Sequence, residues 1–289
     1  MTIDTEDFRV REGDPVSLEK HATKIRPAYR SDAHLQELLA HHVSQLSEIQ
    51  EVLYAANRYS LLVIFQGMDA AGKDSAIKHV MSGVNPQGCH VHSFKHPSAA
   101  ELEHDFLWHA TRFLPERGQI GIFNRSYYED VLIVRVHPEI LESEGRKSDG
   151  PIAASFWRDR YRSITDLERH LSINNSRIVK IFLHLSKDEQ RKRFLARIDH
   201  PQKSWKFSED DLTERGYWDH YMEAYELCLG STSTAAAPWY IVPADDKDNA
   251  HLIVSQIILD TLGSMKLAYP APSAARQAEL RSFRARLAD

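Results

Sequence analysis

The sequence predicts an α/β fold of three layers, with a mainly parallel sheet held between helices. Short apolar runs alternate with helical stretches, so successive strands need crossover connections. One strand-to-helix passage, Gln66-Gly67-Met68-Asp69-Ala70-Ala71-Gly72-Lys73-Asp74-Ser75, has glycine and lysine at the spacing of a phosphate-binding loop. The chemically suggestive stretches 66–75, 94–97 and 124–130 all fall at predicted strand ends, where sheets of this kind bind ligands.

The bulk properties narrow the class. The 289 residues are 42% apolar and 27% charged, enough for one sizeable core in a chain read as a single domain over 1–289. No apolar run is long enough to cross a bilayer, and Met1 to Val10 lacks the apolar core of a signal peptide. Cys89 and Cys228 have no metal-type spacing, and a cytoplasmic location is expected. The net charge of −5 argues against a general nucleic-acid binder. Neither nucleic acid nor membrane is therefore an expected partner.

Taken in order, residues 1–30 show no period, are broken by Pro15 and Pro27, and read as an extended arm lying on the body or on a neighbour. From Asp32 to Ala56, Leu35, Leu38, Leu39, Val43, Leu46, Ile49, Val52 and Leu53 recur at helical steps. That stripe suits core packing or, for so long a helix, a subunit contact, which makes a homodimer or homotetramer an expected assembly. Leu61-Leu62-Val63-Ile64-Phe65 is the first strand and Ala76 to Met81 the following helix. His90 to Lys95 alternates as a second strand. Ser98 then caps a helix predicted to run through Phe113. Gln119 to Phe123 is a third strand and 141–151 a polar surface loop. A helix over Ser155 to Leu171, a fourth strand over Ile178 to Leu185 and a last strand over Trp239 to Val242 follow. Helices over Asp248 to Leu262 and, within 272–289, Ala274 to Leu287 close the chain.

Four constellations carry chemistry. In the loop, Gly67 and Gly72 let backbone N–H groups of Ala70 and Ala71 turn inward, and the helix N-terminus adds partial positive charge. Lys73 places a full charge beside a phosphate. Asp74 stands where a Ser or Thr ordinarily ligates magnesium, with Ser75 next, and Asp69 lies inside the loop. The second is Phe123-Asn124-Arg125-Ser126-Tyr127-Tyr128-Glu129-Asp130: Arg125 can brace a phosphate, and Glu129 and Asp130 suit either a metal or the dipole of a helix start. The third is the basic stretch Lys187 to Lys206, where Arg193 and Arg197 lie four apart, as a lid closing on phosphates would need. The lid region and the helix after it span about 186–230. The fourth is Ser93 to Pro97, where Lys95 can meet a second phosphate-bearing substrate. The aromatic side chains at Tyr217, Trp218, Tyr221 and Tyr225 read as core, and the sixteen histidines as structural or surface.

With these residues in place, the sequence resembles the polyphosphate kinase 2 family from about residue 58 to 247. The matching segments are G-M-D-A-A-G-K-D-S, N-P-Q-G-C, F-K-H-P-S, F-N-R-S-Y-Y-E-D-V-L, V-R-V-H-P, K-R-F-L-A-R-I-D, W-K-F-S and A-P-W-Y-I-V-P-A-D. The resemblance implies a P-loop kinase fold with a helical lid. It also implies phosphoryl transfer between inorganic polyphosphate and nucleotides with Mg2+, or Mn2+ in its place. Asp69 would be a catalytic, metal-binding acid, and Lys73 would stabilise the transferred group. Arg125 would contact phosphate, and Arg193 and Arg197 would be lid arginines. Asn124 stands where many members have Asp, so Glu129 or Asp130 would take over metal binding. The form F-N-R-S-x-Y-E-D resembles the branch accepting both AMP and ADP; adenine nucleotides are expected, with guanine an open alternative. The competing readings are an ATP-dependent kinase of the thymidylate-kinase-like type and a nucleotide-binding switch without transfer activity.

Overall fold

The apolar run Ser60–Gln66 forms the central strand β1, buried at every residue, because it has a hydrogen-bonded neighbour on each side and helices on each face. The computed structural model describes residues 3–143, 145 and 152–288. Within these, β1 shares one sheet with β2 (Cys89–Ser93), β3 (Ile120–Asn124), β4 (Ser176–His184) and β5 (Trp239–Pro243), in the order β2-β3-β1-β4-β5. All pairings are parallel, with Leu61 opposite Ile120 on β3 and Leu62 opposite Ile178 on β4. The three-layer expectation holds. Leu62, Ile64, Phe123, Phe182 and Trp239 pack on one face of the sheet, and Leu61, Val63, Phe65, Ile122 and Val179 on the other.

Helix α1, Asp32–Ala56, starts where the Ser31 side chain accepts the His34 N–H and ends at Asn57 in the left-handed region. It buries Leu35, His42, Leu46, Gln50 and Leu53, and His42 Nδ1 lies 2.7 Å from Ser255 Oγ on the helix Lys247–Ser264. Helix α2 spans Lys73–Val80, so it begins three residues earlier than expected, with Gly72 as its cap. Lys73 and Asp74 are therefore helical residues at its positive end.

The predicted helix over 98–113 is instead two short turns, Ala99–Leu102 and Trp108–Thr111. Two side chains break it. His104 Nδ1 meets the Ala100 carbonyl at 2.9 Å, and Asp105 Oδ1 accepts the Leu107 N–H at 3.0 Å, so local partners replace the helical ladder. Leu141 and Glu142, expected in a loop, close a turn over Ile140–Ser143; residues 144 and 146–151 lie outside the described set. Of the aromatic group expected in the core, Trp218, Tyr221 and Tyr225 are buried, while Tyr217 is exposed.

The arm lies on the body. Arg9 bridges Tyr240 in antiparallel fashion, and Val10 N–H donates to the Trp239 carbonyl at 2.9 Å, covering part of the β5 edge. Below the segment 124–130 sits a buried polar knot. Lys180 Nζ donates to Glu168 Oε2 at 2.6 Å, to the Tyr128 hydroxyl at 2.9 Å and to the Thr232 carbonyl at 2.7 Å. Glu168 Oε1 accepts both the Tyr127 and the Tyr128 hydroxyls. This satisfied network fixes the floor from which Arg125, Glu129 and Asp130 rise.

Candidate active site

The phosphate loop turns out of β1 through two glycines with positive φ. A Cβ on Gly67 would stand 2.9 Å from the Leu183 carbonyl oxygen, so β4 itself excludes a side chain there. Gly72, at φ 110, swings the chain into α2. Lys73 Nζ donates to the Gly67 carbonyl at 2.6 Å and the Met68 carbonyl at 3.3 Å. Burial pulls its pKa down to about 8.

A cleft of about 520 Å3 opens over this loop, lined by seven cationic side chains (Lys73, Arg125, Arg193, Arg197, Lys203, Lys206 and Lys247) against two carboxylates, Asp69 and Asp74. Such an imbalance concentrates field for a polyanion. A second cavity of about 610 Å3 adjoins it, with Arg125 and Phe94 lining both. Its wall is more apolar, with Leu102, Phe106, Ile133 and Val134 beside Lys95, Glu129 and Asp130.

Arg125 links the two spaces. It takes a left-handed backbone at φ 65, and its N–H donates to the Phe65 carbonyl at 3.0 Å, carrying the β3 end across β1. Its guanidinium pairs with Asp69 at 2.9 Å and Glu129 at 3.6 Å. Glu129 first, then Asp69, hold its pKa above the ordinary arginine value.

The expected metal acids Asp69, Glu129 and Asp130 are not gathered at one point. Asp69 lines the cationic cleft, and Glu129 and Asp130 line the apolar cavity, with Arg125 between. Among the described residues no three His, Cys, Asp or Glu side chains are close enough to hold a metal unaided. Asp74, at the position of the usual hydroxyl, accepts from the Asn124 amide at 2.9 Å and pairs with Lys206 at 3.6 Å. Ser75 does not replace that hydroxyl, since its Oγ lies 3.0 Å from His251 Nε2.

Arg193, expected as a catalytic lid arginine, has all five N–H groups engaged. Nε meets Glu189, one terminal nitrogen meets the Ala70 and Ala71 carbonyls, each at 3.0 Å, and the other meets those of Ala244 and Asp245. It ties the helix Lys187–Asp199, expected to form the lid, to the loop rather than offering free donors. Arg197 keeps the expected cleft position, pairing with Asp211 at 3.7 Å. Lys95 sits in the second cavity, apart from the loop.

Sequence reasoning missed Lys247, which lines the cleft from the start of the helix after β5; burial, then Arg193, lowers its pKa. The strand-end rule that flagged 66–75 applies equally to 244–247 and would have found it. It also missed Gln190, whose Nε2 donates to the Asp69 carbonyl at 3.0 Å.

The model of Polyphosphate kinase 2 matches residues 29–270. The chain belongs to the polyphosphate kinase 2 family. Within that family it is 62% identical over 287 residues to the ADP-polyphosphate phosphotransferase of Rhodopseudomonas palustris, covering 99% of both chains. It is 43% identical over 241 residues to the AMP/ADP-polyphosphate phosphotransferase of Meiothermus ruber, covering 83% of this chain and 86% of that one. The crystal structure of Polyphosphate Kinase 2 from Arthrobacter aurescens TC1 matches with a TM-score of 0.85 and 40% identity, over 96% of each chain.

Proposed function

We propose that the protein transfers the terminal phosphoryl group of inorganic polyphosphate to ADP, and in reverse returns it to the polymer. The observation that carries this reading is the pairing of two adjoining spaces of different chemistry, a cationic cleft over the phosphate loop and a more apolar cavity, with Arg125 lining both. The cleft suits a linear polyanion, and the apolar cavity suits a base and ribose, with the nucleotide's phosphates directed toward Arg125. The names of the family relatives agree.

The chemistry is a displacement. An oxygen of the nucleotide's terminal phosphate bonds to the terminal phosphorus of the polymer. The bond from that phosphorus to its bridging oxygen breaks, and the shortened polymer leaves with the electron pair. The transition state is loose, so catalysis is mainly alignment and charge neutralisation. Lys73 and Arg125 supply the positive charge, and the lid excludes water. The Ala71 N–H, expected to face a phosphate, is instead donated to the Met68 carbonyl at 3.0 Å. No covalent intermediate on the protein is needed.

Mg2+, or Mn2+ in its place, fits the donor set. It takes hard oxygens and commonly only one or two carboxylates, completing its shell with phosphate oxygens and water. Asp69, beside the phosphate loop, is the side chain that would hold it in the cleft, with Glu129 across Arg125 the alternative from the second cavity. When bound, it would neutralise charge on the phosphates being exchanged.

Incubation with ADP, Mg2+ and polyphosphate alone decides the matter. ATP should form; its absence would remove the polymer as donor and favour an ATP-dependent kinase. AMP is a second acceptor in this reading, favoured by the F-N-R-S-Y-Y-E-D stretch and by the Meiothermus relative; ADP formed from AMP and polyphosphate tests it. Two free cysteines, and the lack of any helix long and apolar enough to cross a membrane among the described residues, support a cytoplasmic site of action. A homodimer or homotetramer belongs to the same reading, and light scattering tests it.

A further inference from the structure

The arm ahead of α1 reaches the active site without lining the catalytic cleft. Thr23 Oγ1 donates to Asp245 Oδ2 at 2.8 Å, and the Thr23 carbonyl accepts the Asp245 N–H at 3.0 Å. Asp245 Oδ1 accepts the N–H of Ser186 at 2.8 Å, and Ser186 is the residue that caps the lid helix. The carbonyls of Ala244 and Asp245 each receive a hydrogen bond from Arg193, whose other end holds the carbonyls of Ala70 and Ala71 in the phosphate loop. Two neighbouring contacts reinforce the strap: Ala28 N–H donates to Asn249 Oδ1 at 2.9 Å, and the Tyr29 hydroxyl to Asp246 Oδ2 at 3.4 Å.

We propose that Thr23 is a positioning residue for the donor site, acting through Asp245 and Arg193 on both the phosphate loop and the start of the lid. The physical case is one of constraint. Among the described residues, the 244–246 turn after β5 has no ladder partner beyond Ala244, whose N–H bonds to the His184 carbonyl at 2.9 Å. The Asp245 carboxylate is held from two sides, by the arm and by the lid cap. Removing the arm's hydroxyl leaves one carboxylate oxygen without this donor and loosens the Asp245 side chain on the arm side, while the backbone bond from the Asp245 N–H to the Thr23 carbonyl remains. Small displacements of groups remote from the reacting atoms can cost a large factor in rate. Since Arg193 grips the loop at Ala70 and Ala71, the cost falls on the polymer bound in the cationic cleft rather than on the nucleotide in the apolar cavity. That allocation rests on the function proposed above.

The test compares wild type, Thr23→Val and Thr23→Ser as full chains. Amide hydrogen exchange over 66–75 and 184–193 reads the linkage without any substrate, and steady-state kinetics read its consequence. Thr23→Val should exchange several-fold faster in both segments and raise the KM for polyphosphate about three- to tenfold, with the KM for ADP unchanged. Thr23→Ser should restore both. Unchanged exchange over 66–75 in Thr23→Val would overturn the linkage. So would equal losses in both KM values and in thermal stability that Thr23→Ser does not rescue. If wild type itself forms no ATP from polyphosphate, the function proposed above fails, and the exchange result still decides the strap.

Discussion

Arg125 and Asp69 are ion-paired at 2.9 Å across the mouth of the phosphate loop. The pair joins the end of β3 to the interior of the loop after β1, so a single contact positions an acid and a base of the site relative to each other. Asp69→Asn keeps the shape and removes the charge that orients Arg125. Turnover with ADP and polyphosphate should fall at least about a hundredfold, with the circular dichroism spectrum and melting temperature close to wild type. Wild-type turnover would remove Asp69 from the catalytic groups.

Lys73 carries a pH signature. Burial lowers its pKa to about 8, against an ordinary value of 10.5. Between those values the unfolded chain binds the proton and the ligand-free folded chain does not, so this residue's contribution to stability increases with pH across that window. Polyphosphate binding has the opposite trend, because the polyanion favours the protonated amine. Its affinity should decline above pH 8, by up to about tenfold per pH unit for one linked proton. Isothermal titration at pH 7 and pH 9 in two buffers of different ionisation heat would show proton uptake at the higher pH. Lys73→Met should abolish that uptake.

The knot under the site should be fragile to single changes and tolerant of paired ones. Lys180 and Glu168 are both fully buried, 2.6 Å apart. Lys180→Met leaves a buried carboxylate without its cation and should cost about 3–5 kcal/mol, read as a drop of roughly 10 °C in melting temperature. The double variant Lys180→Met, Glu168→Gln should recover a large part of that loss. Equal melting for the single and double variants would mean that the ion pair is not what holds the two Tyr hydroxyls in place.

The parallel sheet was legible because its signals are local. β1 is a continuous apolar run followed by a glycine loop, and the strand-end motifs lie beside their strands. Periodicity could not show the break at His104 and Asp105, since it depends on where two side chains point. The roles of Arg193 and Ser75 were hidden for a different reason. Their partners, Ala244, Asp245 and His251, lie more than fifty residues away in sequence, so spacing alone could not reveal that the arginine is saturated or that the hydroxyl is turned aside. The pairing of Glu129 with Arg125 becomes visible only once the turn after β3 is folded.

If the two spaces take two different substrates, their KM values separate, and one crossed measurement of KM tests it. Lys206, beside Asp74, lines only the cationic cleft, and Leu102 lines only the apolar cavity. Lys206→Ala should raise the KM for polyphosphate several-fold and leave that for ADP unchanged, with the effect shrinking as salt is added. Leu102→Ala should raise the KM for ADP and leave that for polyphosphate unchanged. The reverse pattern, with Lys206→Ala acting on ADP and Leu102→Ala on the polymer, would contradict the account.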